Sequence, residues 1–349
     1  MAAYIVKRLL LMIPTLFGVL LITFAVTQFV PGGPVEQLMH QFKGQQMGAE
    51  GGGSAGLYRG HAGLDEERVA ELRALYGFDK PAYQRFMQML RNYLTFDLGQ
   101  SYFHHQSVID LVVSKLPVSI SLGLWTFFIT YLVCIPLGIA KAIHDGSRFD
   151  VITSTVILVG YAIPGFVLGV ALLVLFGGGS FWDVFPLRGL ISDNWAEFPW
   201  YGKILDYLWH MVLPITSLVV GSLAVMTMLT KNSFIEEIRK QYVITARAKG
   251  LDERNVLYKH VFRNAMIPLA TGFPAAFLGA FFSGSLLIET IFSLDGLGLL
   301  SYESVVKRDY PVVLGTLYLF TLLGLVGKLL SDLSYVLIDP RIQFESVDR

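Results

Sequence analysis

Leu116-Pro-Val-Ser-Ile-Ser-Leu-Gly-Leu-Trp-Thr-Phe-Phe-Ile-Thr-Tyr-Leu-Val-Cys-Ile-Pro-Leu-Gly-Ile-Ala140 runs between Lys115 and Lys141 without one charged side chain. Wound as a helix at 1.5 Å per residue, it covers about 37 Å, more than the roughly 30 Å of hydrocarbon in a bilayer. A helix this long and this apolar fits a membrane better than the surface of a soluble domain.

Comparable runs lie on both sides of it: Leu9 to Val30, Val151 to Trp182, Met211 to Thr230, Asn264 to Ile288 and Tyr310 to Gly327. The last continues through Lys328 and Asp332 to Ile338. Lys328 falls near the inner interface, where it can snorkel, and Asp332 one turn on is placed for i,i+4 pairing. The fold class is therefore an all-α polytopic membrane protein with about six spanning helices. Prolines 136, 164, 214, 268 and 274 predict kinks, which spans tolerate when neighbours re-satisfy the freed carbonyls. Gly- and Ala-rich contact faces are expected in the fifth span.

Composition agrees: 54% of the chain is hydrophobic and only 15% charged, so the polar coat of a soluble domain is lacking. Lysine and arginine (27) equal aspartate and glutamate (27), which removes any electrostatic reason to expect nucleic acid. The single cysteine, Cys134, lies inside an apolar run and excludes an intrachain disulfide or a CxxC site. Lys7-Arg8 before the first run imitates a signal peptide, but its length and the prolines at 31 and 34 read as an uncleaved span.

Basic residues set the expected orientation. With the N-terminus inside, segments 1–8, 141–150, 231–263 and 339–349 hold fourteen Lys and Arg. The outer segments 31–115, 183–210 and 289–309 hold twelve over about twice the length, of which eight lie in the long first loop, where the rule has little force. Both termini are thus expected on the cytoplasmic side. The organisation that follows is residues 1–30 as cytoplasmic N-terminus and first span, an extracytoplasmic loop domain 31–115 with a Gly-rich flexible insert at 44–63, and a core 116–338. The remaining spans lie near 116–140, 151–182, 211–230, 264–288 and 310–338, with a cytoplasmic loop 231–263 and a tail 339–349. After the insert, Asp65 is read as the cap of a helix ending at Gly77. Beyond Pro81, Tyr83, Phe86, Met87, Leu90 and Leu94 recur at helical spacing as an amphipathic helix.

Enzyme signatures are scarce. The sequence contains no HExxH, GxSxG, Walker A or strand-following GxGxxG pattern, so no ATP site and no cofactor are expected in this chain. His104-His105 points in two directions, and His144, His210 and His260 sit at span ends or in loops, so no metal is expected. Glu289 and Asp332 read as shallow, near opposite membrane surfaces, which argues against a transporter that moves protons or ions through deep carboxylates. A stand-alone secondary transporter or channel, and an intramembrane hydrolase, are the competing readings.

The cytoplasmic loop is the informative part. Ile244, Ala248 and Leu251 at i, i+4 and i+7 predict a short helix with one apolar edge and a basic flank of Arg239, Lys240, Arg247 and Lys249. Gly250 permits a left-handed exit. Such a helix either rests on anionic lipid or docks a cytoplasmic partner.

Tyr242-Val-Ile-Thr-Ala-Arg-Ala-Lys-Gly250, followed by His260-Val-Phe-Arg263-Asn264-Ala265-Met-Ile-Pro268, resembles the cytoplasmic signature of the membrane subunits of binding-protein-dependent ATP-driven (ABC) importers, in the dipeptide and oligopeptide branch. It departs from the wider signature Glu-Ala-Ala-x3-Gly, since Ile244 and Thr245 replace the first two residues while Ala246 and Gly250 fit. The resemblance extends over nearly the whole chain, through Pro31-Gly32-Gly33-Pro34, Tyr76-Gly77-Phe78-Asp79-Lys80-Pro81, Phe96-Asp97-Leu98-Gly99-Gln100-Ser101, Leu116-Pro117-Val118-Ser119, Phe292-Ser293-Leu294-Asp295-Gly296-Leu297-Gly298 and Asp339-Pro340-Arg341-Ile342. Gly146-Ser147-Arg148-Phe149-Asp150-Val151 and the Gly-rich insert are most similar to the Yej-type group of that branch.

The resemblance implies a type I ABC importer transmembrane-domain fold in a bacterial inner membrane. It also implies a homologous second permease subunit, ABC ATPase subunits that bind ATP and Mg, a periplasmic peptide-binding protein and an oligopeptide cargo, including peptides like microcin C. Tyr242, Ala246, Arg247, Ala248, Lys249, Gly250, Leu251, His260, Arg263 and Asn264 would belong to the coupling segment facing the ATPases. Tyr83, Phe86 and Leu90 are assigned to contact with the binding protein.

Overall fold

The computed structural model describes residues 2–29, 79–178, 181–282 and 284–338, and among these no β-strand occurs. The insert 44–63, the helix expected after Asp65 and the tail 339–349 lie outside the described residues. The chain divides into two compact units, one of Met1–Arg8, Lys115–Leu299 and Leu323–Arg349, the other of Leu9–Ser114 and Leu300–Leu322.

Helices long and apolar enough to cross a membrane are α1 (Ala2–Phe29), α3 (Val108–Ile143), α6 (Trp200–Ile238), the pair α10 (Ile267–Phe281) and α11 (Leu286–Ile291), and α13 (Tyr310–Ile338). The run expected as one span over 151–182 is two helices instead, α4 (Arg148–Ala162) and α5 (Gly165–Phe176), bent by 92°. Pro164 causes the break. It forces Ile163 into extended backbone (φ −84°, ψ 119°) and then starts α5. Counting the bent pair as one crossing gives six spans, and five otherwise.

In the first unit α4 and α5 both pack on α6, and α11 packs on α5. One part of this core gathers Leu122, Met211, Leu213, Ile215, Val219, Ile288, Phe292 and Leu294. Aromatic rings crowd the same region: Phe176 stacks on Trp182 at 5.3 Å, and Phe185 lies 4.4 Å from Trp209. Such rings are favoured where a protein leaves the hydrocarbon. Of the small residues in the fifth span, Ala275 and Ala280 are at contacts, whereas Gly272 and Gly279 face open space. A Cβ on Gly123 of α3 would stand 1.7 Å from the Ala280 carbonyl oxygen of α10, so only glycine allows that approach. The Ala275 amide of α10 donates to Ser331 Oγ of α13 at 3.1 Å.

Two carboxylates have surroundings that the sequence reading did not give. Asp332 pairs with Arg8 (2.7 Å) and accepts from Tyr4 Oη (2.9 Å), so its partner is the N-terminal helix and not Lys328. Glu289, read as lying near a membrane surface, is in addition fully enclosed by protein, which its place in the sequence did not indicate. It accepts the backbone amides of Ser285 (3.0 Å), Gly298 (3.3 Å) and Leu299 (2.6 Å), the last two in the first turn of α12 (Leu297–Lys307). A carboxylate at a helix N-terminus meets both orphan donors and the positive end of the dipole. Ser119 Oγ of α3 accepts the Leu297 amide at 2.9 Å, and Lys115 pairs with Asp295.

In the second unit α2 (Ala82–Tyr93) begins after Pro81 and buries Phe86 and Tyr93. Phe86 packs on Phe17 and Phe24 of α1, and Tyr93 on Tyr318 of α13. Asp309, buried, accepts from Ser101 Oγ (2.5 Å) and the Tyr102 amide (3.1 Å), which pins the 97–105 loop to the start of α13. Burial raises the Asp309 pKa, and these donors oppose the rise.

Candidate functional site

The 231–263 loop of the sequence reading folds as the last turns of α6, then α7 (Gln241–Ala248), a single turn α8 (Glu253–Asn255), a π-helical segment Val256–Val261 and the turn α9 (Phe262–Ala265). Lys240 in extended backbone separates α6 from α7. Gly250 at φ +80° turns the chain out of α7, a conformation that strains any residue with a Cβ. Asp252 then caps α8 by accepting the Asn255 amide at 3.3 Å.

The buried edge of α7 is a second one, beside the apolar edge that the spacing predicts. Val243 and Ala246 point inward, joining Ile139 and Ala142 of α3, Phe234 of α6, and Val256, Val261 and Ala265. Ile244 (50% exposed), Ala248 and Leu251 (41% exposed) face outward. The apolar edge read from the sequence is thus a surface. With Arg247, Lys249 and Gly250, also exposed, it makes an apolar strip set in basic residues. The periodicity was real, but the wider apolar arc of α7 includes Val243 and Ala246, and these small or branched residues fit the close approach to α3 and α6.

Tyr242 ties the segment to both neighbouring spans. Its hydroxyl donates to Glu237 Oε2 of α6 at 2.6 Å and accepts from Asn264 Nδ2 at 3.0 Å, with the His260 carbonyl 3.3 Å away. Burial raises the Tyr242 pKa, the Glu237 carboxylate adds to this and Asn264 opposes it, so the proton stays on the hydroxyl. Lys240 also pairs with Glu237, and this bond raises the lysine pKa. Arg247 grips Glu253 with Nε (2.8 Å) and Nη2 (3.0 Å), bracing α7 against α8. Arg263 is exposed, and His260 is half-buried. The structure therefore separates the sequence-derived set into an outward group (Arg247, Ala248, Lys249, Gly250, Leu251, Arg263) and an inward group (Tyr242, Ala246, His260, Asn264).

On α2, Tyr83 is 67% exposed and Leu90 half-buried, but Phe86 is buried between the rings of α1 and presents no surface. Met87 and Leu94 share the exposed side with Tyr83.

One cluster escaped the sequence reading. Lys141, at the end of α3, is fully buried, and its ammonium donates to the Asp150 carbonyl (2.8 Å), Thr153 Oγ1 (2.8 Å) and Ser154 Oγ (2.7 Å). Asp150 in the first turn of α4 lies 2.9 Å from Lys141 Nζ through Oδ1 and 2.7 Å from Lys231 Nζ of α6 through Oδ2. Lys231 also reaches Asp145 (3.0 Å), which lies 3.6 Å from Arg239. These residues flank three separate apolar runs, and there they read only as counters of orientation. No spacing along the chain reveals that they meet. Among the described residues no cluster of His, Cys, Asp and Glu is arranged to hold a metal ion.

Helices long and apolar enough to cross a membrane, with a short helix flanked by basic residues between the fourth and fifth, define a multi-pass membrane protein. Residues 134–344 match the family model of the binding-protein-dependent transport system inner membrane component, and the chain belongs to that family. It is 58% identical to the peptidoglycan transport system permease protein YejB of Agrobacterium fabrum over the full length of both chains. It is 54% identical to the inner membrane ABC transporter permease protein YejB of Escherichia coli O157:H7, over 99% of this chain and all of that one. The dipeptide transport system permease protein DppB of Escherichia coli K12 is 32% identical over 98% of this chain and 99% of its own. The chain is a multi-pass inner-membrane permease subunit of an ABC importer in the peptide-permease family.

Proposed function

We propose that this subunit forms half of a pathway through which oligopeptides, delivered by a periplasmic binding protein, enter the cytoplasm, with α7 as the coupling helix. The observation that carries the reading is the outward strip of Ile244, Ala248 and Leu251 among Arg247 and Lys249. An exposed apolar edge on a short helix needs a complementary groove, and the basic flank limits the partner to an acidic one. ATP and Mg are bound by the partner ATPases, closure of which pushes α7. A homologous second permease subunit supplies the other half. Both termini and the 231–263 loop lie on the cytoplasmic side, in keeping with the fourteen basic residues of those segments. The cargo class follows the peptide-permease relatives. Peptides like microcin C and, from the name of the Agrobacterium relative, peptidoglycan-derived peptides fall within it.

The test is transport by the reconstituted complex with Arg247→Glu and Lys249→Glu combined. The subunit should insert and bind its partner permease as before, while uptake falls to background. Normal uptake by that variant sinks the docking role.

On the outer side, Tyr83 and Leu90 receive the binding protein, with Phe86 anchoring α2 from behind. Tyr83→Asp should weaken stimulation of ATP hydrolysis by the binding protein, whereas deletion of 48–60 should leave it intact. Equal tolerance of both changes contradicts this role.

A further inference from the structure

Two of the helices that share a core with α7, α3 and α6, are also held by the buried ion network; the others in that core are the π-helical segment and α9. Val243 and Ala246 pack on Ile139 and Ala142 of α3 and on Phe234 of α6. Lys141 of α3 and Lys231 of α6 meet on the two oxygens of Asp150, which opens α4. The loop between α3 and α4 is drawn into the same set, because the Gly146 amide donates to Asp150 Oδ2 at 3.1 Å and Ser147 Oγ accepts the Asp150 amide at 3.2 Å. Asp145 in that loop carries the network outward to Arg239, the residue that caps the end of α6 ahead of Lys240 and α7.

Apolar contacts alone let helices slide, since dispersion and burial are nearly indifferent to register. Ion pairs with fixed donors are not. The three protons of Lys141 are already directed at the Asp150 carbonyl, Thr153 and Ser154, so the ammonium can turn toward no other acceptor without losing one of them. Buried charges contribute little net stability against apolar replacements, and their best-attested use is to select one arrangement.

We propose that Asp150 is a positioning residue for transport: it locks the inner ends of α3, α4 and α6 into one rigid body, so that displacement of α7 moves all three together. Asp145 is the outer arm of the lock, holding the α3–α4 loop to the corner where α6 passes into α7. The inference rests on α7 being the coupling helix, as proposed above.

The experiment uses the complete importer with its ATPases and binding protein in nanodiscs, comparing the wild type with Asp145→Asn and Asp150→Asn. Cys134, buried, is replaced by serine, and spin labels are placed at His144 and Asp252, both exposed. In the wild type the distance between labels stays constant as ATP and vanadate drive the transport cycle. In Asp150→Asn it changes during the cycle, and peptide moved per ATP falls about tenfold while basal ATP hydrolysis persists. Asp145→Asn, which removes only the exposed arm, assembles like the wild type and shows a smaller loss of the same kind. A label distance that stays constant in both variants overturns the lock, as does an unchanged ratio of peptide to ATP. Failure of the coupling-helix reading is distinct from this, for then the Arg247 and Lys249 charge reversal leaves wild-type uptake intact.

Discussion

The two ends of the first unit are each organised around one buried carboxylate, and they hold it by opposite means. At one end, the outer one in the orientation proposed above, Glu289 takes three backbone amides. At the other, inner end Asp150 takes two lysine ammoniums from different helices, one of which continues to the exposed Asp145 and Arg239. Backbone donors are fixed once the chain turns around them, so the Glu289 knot has one shape. Side-chain ions reach Asp150 from separate helices, and the exposed members of that set, Asp145 and Arg239, are within reach of solvent and salt.

The largest effect should come from removing the centre of the inner cluster. Asp150→Ala leaves the fully buried Lys141 without its counter-charge and Lys231 with Asp145 alone, and should cost about 3–5 kcal/mol, read as a sharp fall in the Tm of the purified complex. A small change would mean that water already solvates this corner. Glu289→Gln keeps the shape of the knot but turns an NH2 group toward backbone donors. It should cost about 1–3 kcal/mol, and unlike the inner cluster its stability should not respond to salt. Salt sensitivity of the outer knot would erase the contrast. Tyr242→Phe removes one hydroxyl shared by Glu237 and Asn264, with an expected loss of about 1 kcal/mol in stability but a clear drop in peptide moved per ATP. The smallest stability effect belongs to Arg247→Ala. Its exposed pair with Glu253 is worth about 0.2–1 kcal/mol, so a near-normal Tm joined to impaired transport would separate docking from folding.

The spans were legible because hydrocarbon imposes a length and a purity of composition that survive any packing. The bend at Pro164 was half-legible: the proline was noted, but its neighbours on α6 decide that the chain turns by 92° there and does not merely kink. Tyr242, His260 and Asn264 were found as a motif, although the hydrogen bonds that join them depend on Glu237, which no local pattern marks. The inward edge of α7, Val243 and Ala246, was not read from the sequence, because a helix of eight residues offers two apolar arcs and the packing partners of the second lie far off in the chain. Lys141, Asp150 and Lys231 stayed hidden for a related reason. Each stands at a span end where a charge is ordinary, and their meeting is a property of three dimensions alone.

The π-helical turn at Val256–Val261 carries a consequence of its own. One extra residue in a helix of 3.6 residues per turn is a phase shift of about 100°. If that surplus residue migrates along the segment, everything it passes rotates about the helix axis by that angle while only a turn of hydrogen bonds is exchanged. Arg263 and Asn264 stand immediately after it. The chain between α8 and the fifth span thus contains the means to convert a shift along its axis into a twist, as a screw thread does.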